Sequence, residues 1–186
     1  MEIKLELPTT KEKIGKLKCG DFVSISGEIY VARDAAHKRL MELIKEGKPL
    51  PVELENETIY YMGPSPARPG KDIGSAGPTT SSRMDFAAPT LLDMGLLVMI
   101  GKGKRSPEVH EAIKRNGAIY LAAIGGAGAL ISKAIEASEI VCYEDLGAEA
   151  IRRLNVKNFP AVVAIDSQGN DIYEGSALLD TSLKNK

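Results

Sequence analysis

Residues 22–47 read FVSISGEIYVARDAAHKRLMELIKEG, and the period of the apolar residues changes part-way through. From Phe22 to Val31 the pattern alternates. Val23, Ile25, Ile29 and Val31 share one face, and Ser24, Ser26, Glu28 and Tyr30 share the other, which is the signature of a strand. Past Arg33 the period becomes helical, with Ala36, Leu40, Leu43 and Ile44 in register, Asp34 placed as an N-cap and Gly47 as a C′ stop. A strand that runs straight into a helix is the repeating unit of an α/β domain.

The same reading extends outward. Short apolar runs predict strands near Thr58–Tyr61, Leu96–Ile100, Ala118–Ile124, Glu139–Tyr143, Ala161–Ile165 and Asp171–Tyr173. The last two flank Asp166-Ser167-Gln168-Gly169-Asn170, which reads as a hairpin turn. Ser106 is placed to cap a helix with Pro107 at its first position and Gly117 beyond its end. Further helical segments are expected over Ala129–Ala137 and Ala148–Leu154. The stretch before Asp21 is polar, and residues 177–186 read as a frayed tail. Met62 to Pro78 holds four of the ten prolines and four of the eighteen glycines, so it cannot be a regular element. A loop of that length in a compact domain points to function. The expectation is a single domain over 1–186, of α/β class, with a mixed sheet and flanking helices.

Composition narrows the function. The 186 residues are 44% hydrophobic and 26% charged, an ordinary globular balance. Lys plus Arg is 24 against 25 for Asp plus Glu, a net charge of -1 that argues against a nucleic-acid surface. The longest uncharged stretch, Asn116 to Ser132, falls short of the ~20 apolar residues of a membrane span. The charged N-terminal residues do not read as a signal peptide, so a cytoplasmic, non-membrane protein is expected. Two cysteines, Cys19 and Cys142, do not by themselves make a structural zinc or iron–sulfur site. Small buried apolar side chains are the plainer account of both.

Three places put cations or hydroxyls beside strand ends and helix starts. Arg33 lies between a strand and a helix N-terminus, where free N–H groups favour an anion and a guanidinium suits a carboxylate. The alternative is a surface salt bridge. Gly77-Pro78-Thr79-Thr80-Ser81-Ser82-Arg83 joins four hydroxyls to an Arg; if a helix begins there, Thr79 and Arg83 lie one turn apart on one face. The alternative is a helix cap with spare hydroxyls. Gly101-Lys102-Gly103-Lys104-Arg105-Ser106 lacks the Walker spacing, and a solvated basic turn competes with a ligand loop. Gly125-Gly126-Ala127-Gly128 does not match a dinucleotide motif, and tight packing of a turn accounts for it. His37 and His110 fall within helices, as surface or supporting residues. Taken together these features suit a small dianion such as a dicarboxylate. They include no nucleophile–base pair and no metal cluster, which suggests half of a site.

Several runs carry a resemblance. They include Arg33-Asp34-Ala35-Ala36-His37, Tyr61-Met62-Gly63-Pro64, Gly77-Pro78-Thr79-Thr80 with Arg83-Met84-Asp85, Ile100-Gly101-Lys102-Gly103, Leu146-Gly147-Ala148-Glu149-Ala150-Ile151 and Asn158-Phe159-Pro160-Ala161. From about Leu5 to Ser176 the chain resembles the β subunit, or C-terminal domain, of class I iron–sulfur fumarate hydratases and L-tartrate dehydratases. It departs from that pattern at Ser81-Ser82, where the family often has Ala-Gly or Ser-Gly. The resemblance implies a swivelling β/β/α fold and a partner α subunit whose three cysteinates hold a [4Fe-4S] cluster with one open iron. No cofactor or metal ligand is then expected in this chain. It also implies that Arg33, Arg83 and Lys102 bind the substrate carboxylates and that Thr79 stands at the proton-abstracting hydroxyl. A β subunit of a two-subunit fumarate hydratase is the leading expectation, as a heterotetramer with its partner or a homodimer alone. A tartrate dehydratase β subunit is the alternative within the class, and a stand-alone dicarboxylate-binding module the alternative outside it.

Overall fold

The computed structural model describes residues 2–65, 69, 73–123 and 128–174. Its strands are β1 (Ile3–Glu6), β2 (Phe22–Val31), β3 (Thr58–Tyr60), β4 (Val98–Gly101), β5 (Ile119–Ala123), β6 (Ile135–Cys142) and β7 (Ile151–Ile165). Its helices are α1 (Lys11–Ile14), α2 (Asp34–Lys45), α3 (Ala88–Asp93), α4 (Pro107–Asn116) and α5 (Gly128–Lys133), with 3₁₀ turns at Ser81–Met84 and Glu144–Glu149. Among the described residues no helix is long and apolar enough to cross a membrane.

The strands pair in the order β1-β2-β3-β4-β5-β7-β6, and β2 also pairs with β7. Neighbours from β1 to β5 are parallel, whereas β7 is antiparallel to β2, β5 and β6. A strand has two edges, and β7 runs along one edge of β2 from Phe22 to Val31. The opposite edge is shared by β1 at Val23–Ser26 and β3 at Tyr30–Val31. The pairings β2–β3–β4–β5–β7–β2 therefore close into a ring, which leaves no free edge among those five strands. The β2–β7 register slips between Ile25–Phe159 and Gly27–Val156, so β7 carries an extra residue there. Asn158, at φ 53, supplies the left-handed backbone of that bulge.

The ring buries both faces of its strands. Val23, Ile25, Ile29 and Val31 of β2 pack with Val98, Ile100, Leu121, Leu154 and Phe159 in one cluster. Tyr30, Tyr61, Met99 and Tyr120 join a second cluster with Ala36 and Leu40 of α2, Leu91 of α3 and Val109 and Ile113 of α4. The strand alternation read at β2 is thus the division between the ring interior and the face covered by helices. A large-to-small change such as Ile25→Ala in that interior costs about 2–5 kcal/mol.

The caps decide the helix ends. Ser106 accepts a hydrogen bond from Val109 N, Pro107 opens α4, and Gly117 closes it at φ 63, as the sequence predicts. Gly47 likewise stops α2 with φ 66, but the N-cap is Arg33, and Asp34 is already the first helical residue. The polar N-terminus forms β1 and α1. Three expectations need correction. The helix expected over Ala129–Ala137 ends at Lys133, and Ile135 begins β6. The helical segment expected over Ala148–Leu154 reaches only Glu149, the end of a 3₁₀ turn, because Ile151 opens the fifteen-residue β7. Asp171 makes a single bridge to Ile165 rather than opening a strand. The tail 177–186, Gly125-Gly126-Ala127 and residues 66–68 and 70–72 of the Met62–Pro78 loop lie outside the described residues.

Candidate functional site

Parallel pairing brings the carboxyl ends of β2, β3 and β4 side by side, and in α/β folds, closed or open, the loops at such ends commonly bind ligands. Arg33 follows the end of β2, and Ala32 N still donates to Tyr60 O at 3.3 Å. Lys102 follows β4. The segment from Pro78 to Ser81 closes across the ends of β3 and β4. Pro78 bridges Met62, Thr79 N donates to Tyr61 O at 2.8 Å, Thr80 pairs with Lys102, and Ser81 N donates to Lys102 O at 2.9 Å. The 3₁₀ turn starts only at Ser81, so Thr79 and Arg83 do not share a helical face. Thr79 is instead held by extended pairing, half-buried beside the end of β3.

Arg33 is held tightly without being satisfied. It caps α2 without a side-chain cap bond, and Glu149 does that work from the other side of the chain, accepting from Ala35 N at 3.3 Å. The same carboxylate oxygen lies 4.0 Å from Arg33 Nε. The guanidinium packs on Gly63, where a Cβ would stand 2.1 Å from Nη1. Next in sequence, Asp34 Oδ2 meets Arg83 at 2.5 Å, which tethers the exposed Arg83 to the α2 start. Arg33 Nε, Asp34 Oδ1 and His37 Nε2 are nevertheless buried without a hydrogen-bond partner. Buried polar atoms are nearly always paired, so three orphans on one helix start mark a place where something binds or strain is kept.

The loop after β4 is fixed from beneath. Lys102 N donates to Ser81 Oγ at 3.0 Å, and Tyr120 Oη lies 2.8 Å from the same Oγ and 2.9 Å from Gly103 O. One arrangement satisfies all three: Lys102 N–H donates to Ser81, Ser81 O–H to Tyr120, and Tyr120 O–H to Gly103 O. Gly101 makes this possible, since a Cβ there would stand 1.9 Å from Ser81 Oγ. Deeper still, Arg105 Nε donates to Asp85 Oδ1 at 2.7 Å while Ser106 N donates to Asp85 Oδ2 at 2.8 Å. Arg105 stacks between Tyr61 and Tyr120, 5.2 and 4.8 Å from their ring centres. The pair ties the Thr79–Asp85 segment to the Lys102 loop. Losing one partner would strand a buried charge, at about 3–5 kcal/mol.

Arg105 is the residue that the sequence reading placed least well. Grouped with Lys102 and Lys104 as a basic turn, it is fully enclosed, which removes it from any nucleic-acid surface. Tyr120 emerges only from the fold, as do the supporting contacts of Glu149, Gly63 and Ser81. His37 is completely buried and His110 is paired, its Nε2 3.1 Å from Asp171 Oδ2. Burial holds the His37 imidazole neutral at about 4, helped by the Arg105 charge and opposed by its bond to the Arg33 carbonyl and by Asp34. His110, Asp171 and Glu174 place donor atoms within 4.8 Å of one another.

The thiols do not fit an iron–sulfur cluster. Burial, then the charges of Asp166, Asp171 and Asp21, push Cys19 up to about 11, and burial pushes Cys142 up as well. Cluster ligation needs thiolates, which these environments disfavour. Cys19 Sγ sits instead 3.6 Å from Ala164 O.

A closed strand ring with helices on its outer face, and with Arg33 and Lys102 following the carboxyl ends of its parallel strands, defines an α/β domain. The family model described as fumarase C-terminus matches residues 1–176, and the chain belongs to that family. It is 40% identical over 170 residues to fumarate hydratase 1, mitochondrial, of Leishmania major, covering 90% of this chain and 31% of that protein. It is 42% identical over 154 residues to the anaerobic class I fumarate hydratase of Escherichia coli K12, covering 82% and 28%. With the protein of Methanocaldococcus jannaschii named "Putative L(+)-tartrate dehydratase subunit beta", identity is 38% over 171 residues, covering 89% and 88%. The chain thus spans less than a third of those two fumarate hydratases and most of the subunit-sized relative.

Proposed function

We propose that this chain is the β subunit of a two-subunit, [4Fe-4S]-dependent class I fumarate hydratase, catalysing the reversible hydration of fumarate to L-malate. The observation that carries the reading is the unsatisfied helix start: Arg33 Nε, Asp34 Oδ1 and His37 Nε2 buried without partners beside the ends of β2, β3 and β4. The strand ring with outer helices suits a swivelling β/β/α domain that closes over a partner α subunit in a heterotetramer. The cluster is assigned to that subunit, where it supplies Lewis-acid chemistry. The work of this chain is binding, orientation and proton handling.

Arg33 offers a planar fork to one substrate carboxylate at the end of β2, in the field of the α2 N-terminus. Lys102, exposed on a loop fixed by Ser81, gives a point charge to the same dianion. Arg83 adds a second guanidinium, steadied by Asp34. In malate dehydration the C3–H bond breaks, its electron pair forms the C2–C3 double bond, and the C2 hydroxyl leaves. In this reading Thr79 Oγ1 passes the C3 proton. A free alkoxide is out of reach for a hydroxyl of ordinary acidity, so the residue acts as a relay under the influence of nearby cations or of an acid on the partner. A second reading, the β subunit of a tartrate dehydratase, is supported by the relative of similar length.

Co-expression with the adjacent chain, anaerobic reconstitution and assays with malate and with tartrate test the proposal. Turnover of malate is expected, and turnover of tartrate alone favours the second reading. In the same enzyme Thr79→Val should lower kcat roughly 100-fold or more while KM moves little. A fully active but destabilised Thr79→Val would leave Thr79 a structural residue.

A further inference from the structure

We infer that His37 is a positioning residue for Arg33: its Nδ1–H, 2.7 Å from the Arg33 carbonyl oxygen, fixes the helix start from which the guanidinium meets the substrate carboxylate. The inference rests on the anion-site reading of Arg33 given above.

Arg33 has no cap bond of its own. Its carbonyl receives two donors, His37 N at 2.9 Å and His37 Nδ1. Both lone pairs of that oxygen are then occupied, and the peptide that sets the direction of the Arg33 side chain is held on two sides. The guanidinium has little room to compensate for a rotation of that peptide, because Gly63 leaves no more space than it fills.

The imidazole is an expensive way to fill this space. With Nδ1 as the donor, Nε2 is a bare lone pair, buried and without a partner. The ring stands edge-on to Tyr61 at 5.5 Å, and Arg105 lies over the other parts of that tyrosine, with Nη2 3.4 Å from its hydroxyl. Asp34 is the charged neighbour on the same helix, and Arg105 is the charged neighbour from the loop before α4. An aliphatic side chain would fill this buried site beside Tyr61 without leaving an orphan atom. Stability alone favours that exchange, so the return on the imidazole is the second bond to Arg33. The ring is neutral in spite of its bond to the Arg33 carbonyl: burial first, then the Arg105 charge, disfavours a proton on Nε2.

The test compares His37→Leu, His37→Asn and His37→Gln in the assembled enzyme, by steady-state kinetics and thermal melting. His37→Leu should melt at or above the wild-type temperature and raise KM roughly tenfold, with kcat moving less. His37→Asn, whose amide N–H stands where Nδ1–H stood, should recover most of that affinity, and His37→Gln, whose amide reaches toward the Nε2 position, should not. Arg33→Ala is measured alongside. If it raises KM and His37→Leu does not, the positioning role is wrong and the site stands. If Arg33→Ala binds substrate normally, both fall. If His37→Leu does not fold, the Asn and Gln variants decide: tighter binding by Asn supports the role, and equal binding overturns it.

Discussion

Gly63 shows how finely a single residue constrains this site. A methyl group there would meet Arg33 Nη1 at 2.1 Å and its Cδ and Cζ at 3.0 Å. All three atoms belong to the outer part of a flexible side chain, so the arginine would move rather than the backbone. Gly63→Ala should therefore cost little stability and weaken substrate binding roughly tenfold or more, since misplacement near 1 Å is costly in a binding site. Melting and steady-state kinetics on one assembled sample check this, and an unchanged KM would mean that Arg33 does not bind from its present position. The candidate site is legible in the sequence at this scale only where position carries the chemistry. Arg33 and Lys102 declare themselves by following strands. Asp85 and Arg105 stand twenty residues apart, and nothing in the local pattern says that one carboxylate serves both the guanidinium and Ser106 N.

At the scale of elements, α2 carries a pH dependence with a definite sign. His37 titrates near 4 in the folded chain and near 6.5 when unfolded. Above pH 6.5 both states are neutral there and the group contributes nothing. As pH falls from 6.5 toward 4 the unfolded chain takes up a proton that the folded chain refuses, and stability drops by up to about 3 kcal/mol. Denaturant unfolding at pH 7 and pH 4.5 should show a loss in the wild type that is smaller in His37→Leu; equal losses would place the titration elsewhere. The elements differ in how well the sequence announces them. β2 alternates because its two faces meet different cores, and α4 is bracketed by Ser106-Pro107 and Gly117. β7 is misread because Ile151 and Leu154 stand three apart, a helical spacing. On a strand that spacing puts them on opposite faces, and the ring buries both, Ile151 against the helices and Leu154 inside.

For the whole molecule, the ring and its parallel strands bring the loops after β2 and β4 and the Pro78–Asp85 segment, distant in sequence, to one end of the sheet. The two thiols are held protonated, away from the chemistry expected of cluster ligands. The chain alone should therefore carry no stoichiometric iron through gel filtration, and Cys19→Ser and Cys142→Ser should leave the visible absorbance of the assembled enzyme intact. Loss of the cluster in either variant would assign a ligand to this chain. The central claim is that the α2 start binds a substrate carboxylate, and Arg33→Ala in the reconstituted enzyme tests it most directly. Removing one charge-assisted contact of about 1.5–3 kcal/mol should lower kcat/KM for malate by roughly 10- to 150-fold with the melting temperature little changed. A wild-type kcat/KM in Arg33→Ala would contradict the account and move the anion site off the ends of β2, β3 and β4.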